Sequence, residues 1–139
     1  MTPTLLPFRL RPQYRNYVWG GNRLKHSAKP VAEAWIVHES DVVVSGAFHG
    51  RTLKEATLEL GERLLGQKVV AQGSATRFPL LIKLLDCAEW LSLQVHPNDE
   101  QAVMLEGQGY YGKTEAWFVL DTAKDATLIA GVKPGTEAS

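Results

Sequence analysis

Leu91 to Pro97 (LSLQVHP) and Gly112 to Trp117 (GKTEAW) alternate polar and apolar side chains with a period of two. That period belongs to extended backbone, whose side chains leave opposite faces in turn. A helix would need a period near 3.6. Each segment is therefore predicted as a strand. In the first, Ser92, Gln94 and His96 share one face, while Leu91, Leu93 and Val95 form the other. In the second, Lys113 and Glu115 share a face, with Thr114, Ala116 and Phe118 opposite. Brought side by side, the two polar faces gather a hydroxyl, an amide oxygen, an imidazole, a carboxylate and an ammonium. That set suits a divalent metal and an anionic substrate.

The rest of the chain supplies a β-rich frame. Phe8 to Leu10 reads as a short strand, and Tyr17 to Gly21 (YVWGG) as a turn. Trp19 either packs the core or caps a pocket, and burial habits favour the core. Ala32 to His38 (AEAWIVH) is predicted as a strand with Glu33, Trp35 and Val37 on one face, and Val42 to Val44 continues the pattern. Thr52 to Gly66 is the one clear helix, a surface helix lying on a sheet. Thr52 and Glu55 fit a capping box, Leu53, Ala56, Leu60 and Leu64 form the apolar stripe, and Gly66 ends it. Gln72 to Arg77 reads as a loop. Phe78 to Asp86 (FPLLIKLLD) reads as a strand buried on both faces, with Lys83 as its anomaly. A lysine in such a run either snorkels outward or holds an anion inside. Asn98 is placed to cap a short helix through Glu106 with Gln101 as its capping partner, and Ala126 to Ala130 is a further strand. The pattern points to a mostly-β barrel or jelly roll with helices packed outside, as one domain over residues 1–139.

Charge and composition narrow the function classes. Lys plus Arg and Asp plus Glu are both 15, so the formal net charge is zero. This argues against a nucleic-acid binder, whose affinity comes largely from neutralised phosphates. No apolar stretch approaches the roughly 20 residues of a membrane span, and the opening MTPTLLPFRL does not read as a secretory signal. The single Cys87 excludes an intramolecular disulfide, is compatible with a reducing cytoplasm, and reads as a small buried hydrophobe.

Q-x-H followed at a distance by Glu is, taken alone, a modest metal signal, because a lone strand histidine is more often structural than ligating. Here His96 shares a face with Gln94, and Glu115 lies on a second strand beside an ammonium donor. Imidazole and carboxylate are usual zinc ligands. The residues leave a metal site and a structural histidine both open. His26, His38 and His49 have no partner at ligand spacing and read as surface or structural groups.

FPLLIKLLDCAEWLSLQVHPND, followed by GKTEAWFVLDT and LIAG, resembles type I mannose-6-phosphate isomerase (phosphomannose isomerase). YVWGG and AEAWIVH are similar to earlier segments of that family, so the resemblance runs from about Phe8 to the last residue. It implies a cupin-type jelly-roll barrel with zinc in its lumen, and reversible interconversion of mannose 6-phosphate and fructose 6-phosphate. By the same resemblance, His96 and Glu115 match zinc ligands, and Gln94 matches a position that ligates or closely approaches the metal. Ser92 and Lys113 match a phosphate-binding pair, while Lys83, Glu33 and Trp19 match pocket positions. Lys113 and Glu33 are the catalytic candidates, Glu33 because it is an acid on a pocket strand.

In the family a further zinc-binding histidine lies well downstream, usually with a second cupin-like domain. No histidine follows His96 here. The chain is therefore expected to be the N-terminal cupin-like portion of a cytoplasmic isomerase, with the last zinc ligand beyond residue 139 and a barrel incomplete at its C-terminal end. The alternative is a non-catalytic cupin module that binds a sugar phosphate or a partner chain. An open sheet edge is expected to promote self-association.

Overall fold

The computed structural model describes residues 6–73 and 76–136. Its contacts divide into two compact units, Met1–Ser92 and Leu93–Ser139. The first unit is built around an antiparallel sheet of β1 (Gln13–Arg15), β2 (Glu33–Val37) and β3 (Ile82–Leu85), in that spatial order. Leu10 and Val42 to Val44, predicted as strand, contribute only isolated bridges, Leu10 to Val43 and Val42 to Thr52. The small sheet, bridged loops and few helices are consistent with a mostly-β protein.

The register settles which side chains meet. Gln13 pairs with Trp35 and Arg15 with Glu33 across β1 and β2, while Trp35 pairs with Lys83 and Glu33 with Leu85 across β2 and β3. Directly paired residues lie on the same face. One face thus carries Gln13, Arg15, Glu33, Trp35, Lys83 and Leu85, and the other carries Tyr14, Ala34 and Leu84.

The Phe78–Asp86 run corrects the sequence reading. Only Ile82–Leu85 is strand, and Ile82 is 46% exposed. No residue of β3 is fully buried, so its apolar side chains are not sandwiched between layers. Cys87, expected to be buried, is exposed; it lies two residues beyond Leu85, where β3 has ended.

The predicted helix is interrupted. α1 (Leu53–Leu60) ends at Gly61, α2 (Glu62–Leu65) follows and ends at Gly66, and α3 (Gln67–Ala71) extends into a stretch given no helix beforehand. Gly61 has φ +50° and ψ −124°, a conformation that costs glycine little and breaks the helical path. The capping box forms as expected. Glu55 N–H donates to Thr52 Oγ1 at 3.2 Å, and Thr52 N–H donates to Glu55 Oε2 at 2.8 Å. Leu53, Ala56, Thr57 and Leu60 are buried, the spacing of one helical face. Ala56 and Leu60 pack on Val43 and Phe48, with Phe8, Leu10 and Leu64 at the margin. Thr57 is tolerated in that stripe because its hydroxyl donates to Leu53 O at 2.8 Å.

The second unit contains α4 (Asp99–Glu106), capped as the sequence predicts: Gln101 N–H donates to Asn98 Oδ1 and Asn98 N–H donates to Gln101 Oε1. The segments 91–97, 112–117 and 126–130, each predicted as a strand, carry no strand assignment. Alternation is a property of extended backbone, whereas a strand also requires a ladder partner for its N–H and C=O groups. Among the described residues those groups have no regular ladder. Among the described residues no helix is long and apolar enough to cross a membrane.

Candidate functional site

Within the second unit, backbone geometry brings the two motifs together. Gly112 N–H donates to Asp99 Oδ1 at 2.7 Å, and Lys113 N–H donates to Pro97 O at 3.0 Å. A Cβ on residue 112 would lie 2.6 Å from Asn98 C and 2.8 Å from Pro97 O. Only glycine lets the backbone lie so close to the turn that opens α4. The side chains that follow then meet those that precede the helix.

His96 Nε2 and Glu115 Oε1 are 3.0 Å apart, in hydrogen-bonding contact across nineteen positions of chain. Lys113 Nζ lies 3.8 Å from Glu115 Oε2 and donates to Gln94 Oε1 at 3.5 Å. Trp117 Nε1 donates to Glu115 Oε1 at 3.3 Å. The parity read from the sequence therefore holds at the level of contacts: Gln94, His96, Lys113 and Glu115 converge. Trp117 was not singled out, although it lies two positions beyond Glu115 and shares its parity. The hydrogen bond with His96 holds the Glu115 carboxyl below the ordinary carboxylate range, and the Trp117 indole and Lys113 charge act in the same direction. Val95, Pro97, Met104 and Leu105 line an open groove of about 420 Å³ next to His96. Among the described residues no group of three His, Cys, Asp or Glu side chains is arranged to hold a metal ion; the site has one imidazole, one carboxylate and the Gln94 amide.

The first unit holds the other predicted site residues. Lys83 Nζ donates to Glu33 Oε1 at 2.9 Å, and Trp35 Nε1 donates to Glu33 Oε2 at 2.7 Å. The side chains of Lys83 and Glu33 are 21% and 8% exposed. Of the two readings of a lysine inside LLIKLL, the second describes it: the ammonium holds an anion, and that anion is Glu33. Both oxygens of Glu33 are thus engaged by donors. Arg15 Cζ lies 4.3 Å from the Trp35 ring centroid, and Arg15 Nη2 donates to Gln13 Oε1 at 2.8 Å. Gln13 Nε2 in turn donates to the fully buried Asp41 at 2.6 Å. Neither Trp35 nor Arg15 was marked as functional; Trp35 shares the parity of Glu33, but Arg15 gave no sequence signal.

Trp19 is half-buried and stacked on Tyr17, with ring centroids 5.5 Å apart and an interplanar angle of 15°, rather than packed in the core. Its carbonyl accepts from Ala88 N–H and Glu89 N–H. Ser92 is exposed, at the end of the first unit. His38 is structural, its Nδ1 being 2.7 Å from Ser40 Oγ.

Residues 7–116 match the family model described as "Phosphomannose isomerase type I, catalytic domain". The chain is 38% identical over 137 residues to the mannose-6-phosphate isomerase ManA of Bacillus subtilis, covering 92% of this chain and 41% of that protein. It is 35% identical over 135 residues to the mannose-6-phosphate isomerase of Streptococcus mutans, covering 90% of this chain and 40% of that protein. Among solved structures, the mannose 6-phosphate isomerase from Bacillus subtilis matches with a TM-score of 0.57 and 30% identity, over 76% of this chain and 35% of that one. The chain spans about two fifths of the length of the curated relatives it matches.

Proposed function

Because the chain belongs to the type I phosphomannose isomerase catalytic-domain family, we propose that it forms the metal-site portion of a zinc-dependent aldose–ketose isomerase. The substrates would be mannose 6-phosphate and fructose 6-phosphate, and the frame a cupin-type jelly roll. The observation that carries this reading is the convergence of Gln94, His96, Lys113 and Glu115.

The donor set fits zinc in type and spacing. Two ligands each about 2.0–2.2 Å from a tetrahedral ion stand roughly 3.3–3.6 Å apart. His96 Nε2 and Glu115 Oε1, at 3.0 Å, need to open by only a few tenths of an ångström. Gln94 offers an amide oxygen on the same side, and the remaining protein ligand would come from sequence outside these residues. When bound, zinc supplies a Lewis acid for the charge that develops on substrate oxygens during proton movement between adjacent carbons.

The protein's own groups divide the remaining work. Lys113 in the second unit, and Lys83 and the Ser92 hydroxyl in the first, are each read as phosphate-holding groups, whose binding energy would be turned into orientation. Trp19 would cover the sugar with an aromatic face. Glu33 and Lys113 are the candidates for moving the proton. Lys113 is loosely held, with contacts of 3.5 and 3.8 Å, and can reorient. Glu33 has one oxygen on the Trp35 indole and the other on the Lys83 ammonium.

The test is zinc content by elemental analysis alongside a mannose 6-phosphate to fructose 6-phosphate assay. These 139 residues are expected to purify largely free of zinc and inactive, and to gain both when the remaining portion of a relative is supplied, in one chain or in trans. His96→Ala should then abolish them. The two-donor set among the described residues favours one other reading, a non-catalytic module that binds a sugar phosphate. Persistent inactivity in the extended protein, with sugar-phosphate binding intact, would select it.

A further inference from the structure

The polar face of the sheet contains one connected path that runs from groups the proposed chemistry does not use to Glu33 and Lys83, which it does. It starts at the fully buried Asp41, which accepts from Gln13 Nε2 at 2.6 Å. Gln13 Oε1 accepts from Arg15 Nη2 at 2.8 Å. The Arg15 guanidinium sits 4.3 Å from the centre of the Trp35 ring, whose Nε1–H donates to Glu33 Oε2 at 2.7 Å. Glu33 Oε1 accepts from Lys83 Nζ at 2.9 Å. From Gln13 onward every step joins neighbours on one face of β1, β2 and β3, while Asp41 follows the turn after β2.

A lysine side chain has four rotatable carbons and three equivalent donors, so alone it fixes an anion poorly. A carboxylate bound only by that lysine would move with it. The second donor, the indole N–H, turns Glu33 into a fixed acceptor, because a planar carboxylate held at both oxygens cannot rotate. The ring that carries this donor is itself held by Arg15. We infer that Trp35 is a positioning residue: its indole N–H pins Glu33, Glu33 aims the Lys83 ammonium, and Arg15 holds the Trp35 ring in place. The inference rests on the reading of Lys83 as a phosphate-holding group only for what that aim serves. The pinning itself is independent of any substrate.

Competition labelling of the 139-residue chain with acetic anhydride, read by peptide mass spectrometry, tests it, with Lys54 and Lys68 as internal references. Trp35→Phe keeps a ring and removes the donor. Lys83 should label about tenfold faster in that variant, the effect of losing a hydrogen bond to a charged group, while Lys54 and Lys68 stay unchanged. Arg15→Met should give a smaller rise at Lys83 alone. A merely structural role for Trp35 would alter the reference lysines equally or lower only the melting temperature. Unchanged Lys83 labelling in folded Trp35→Phe overturns the inference.

If Trp35→Phe does not fold, the indole N–H signals of the unsubstituted chain provide the readout. With four tryptophans in the chain, Glu33→Gln should move one signal upfield and leave the other three. Four unmoved signals overturn the inference equally. The phosphate reading is separated by titrating inorganic phosphate against the unsubstituted chain and Lys83→Met by phosphorus NMR. Equal affinity would remove the phosphate role and leave the pinning standing.

Discussion

His96 Nε2 and Glu115 Oε1 meet at 3.0 Å although a capped helix and a glycine turn separate them along the chain. The contact depends on two hydrogen bonds donated by backbone N–H groups, Gly112 N–H to the Asp99 side-chain Oδ1 and Lys113 N–H to Pro97 O. Residues 97–99 therefore act as the floor on which the second motif rests.

Gly112→Ala tests that floor. The new methyl would meet Asn98 C at 2.6 Å, and the obstacle is backbone, which cannot rotate aside. A cost of about 1–3 kcal/mol is expected, as for other overpacked sites. Chemical denaturation should show the loss, and nitrogen NMR should show the His96–Glu115 contact released. A variant with unchanged stability and contact would disprove the account of the turn.

Zinc affinity in an extended, metal-loaded isomerase should fall in both ligand variants. His96→Ala and Glu115→Gln are each expected to weaken it more than the roughly 10–100-fold typical of residues that only support a ligand. Equilibrium dialysis against a zinc indicator measures this. Loss of less than tenfold for either variant would remove that residue from the ligand set.

The capping box of α1 predicts a pH response. Hydrogen bonds from Thr52 backbone and side chain hold Glu55 below its ordinary value of 4.5. A carboxyl lowered in the folded state binds its proton more readily in the unfolded chain. Its contribution is present above about pH 4.5 and is lost as pH falls through the folded value. Thr52→Ala should cost about 1 kcal/mol at neutral pH, and the gap to the unsubstituted chain should narrow in acid. A gap independent of pH between 7 and 3 in thermal melts would contradict the assignment.

Self-association is expected of the 139-residue chain. Leu93, Val95 and Phe118 are 87%, 93% and 86% exposed, an apolar side left by the same alternation that orders the polar one. Large apolar side chains left this exposed favour association. Light scattering at rising concentration should report dimers or larger species, and a monomer throughout would overturn it.

The sequence was most legible where local chemistry decides the outcome. The capping boxes at Thr52 and Asn98 and the helix stops at Gly66 and Gly107 follow from side-chain and backbone preferences within a few residues. Parity identified Gln94, His96, Lys113 and Glu115 as neighbours because alternation survives without a ladder. What failed was ladder membership. Strand status at 91–97 and 112–117 depends on a partner that no local pattern reveals. The burial of Phe78 to Asp86 was misread for a related reason: an apolar run shows what a strand can cover, not how many layers cover it. The break at Gly61 was concealed because the stripe from Leu53 to Leu64 keeps its phase across it. Arg15 had no signal, since its meaning comes from the register that sets β1 beside Trp35.

The loop closed by Gly112 also has a thermodynamic corollary. α4 lies inside the span whose ends His96 and Glu115 join. Any ligand that bridges those two side chains is linked to helix formation, and linkage is reciprocal. Binding should slow amide exchange along Asp99–Glu106, while weakening the Asn98 cap should lower ligand affinity by the same factor. The helix would then adjust the affinity of the site, through the probability that its two halves are already side by side.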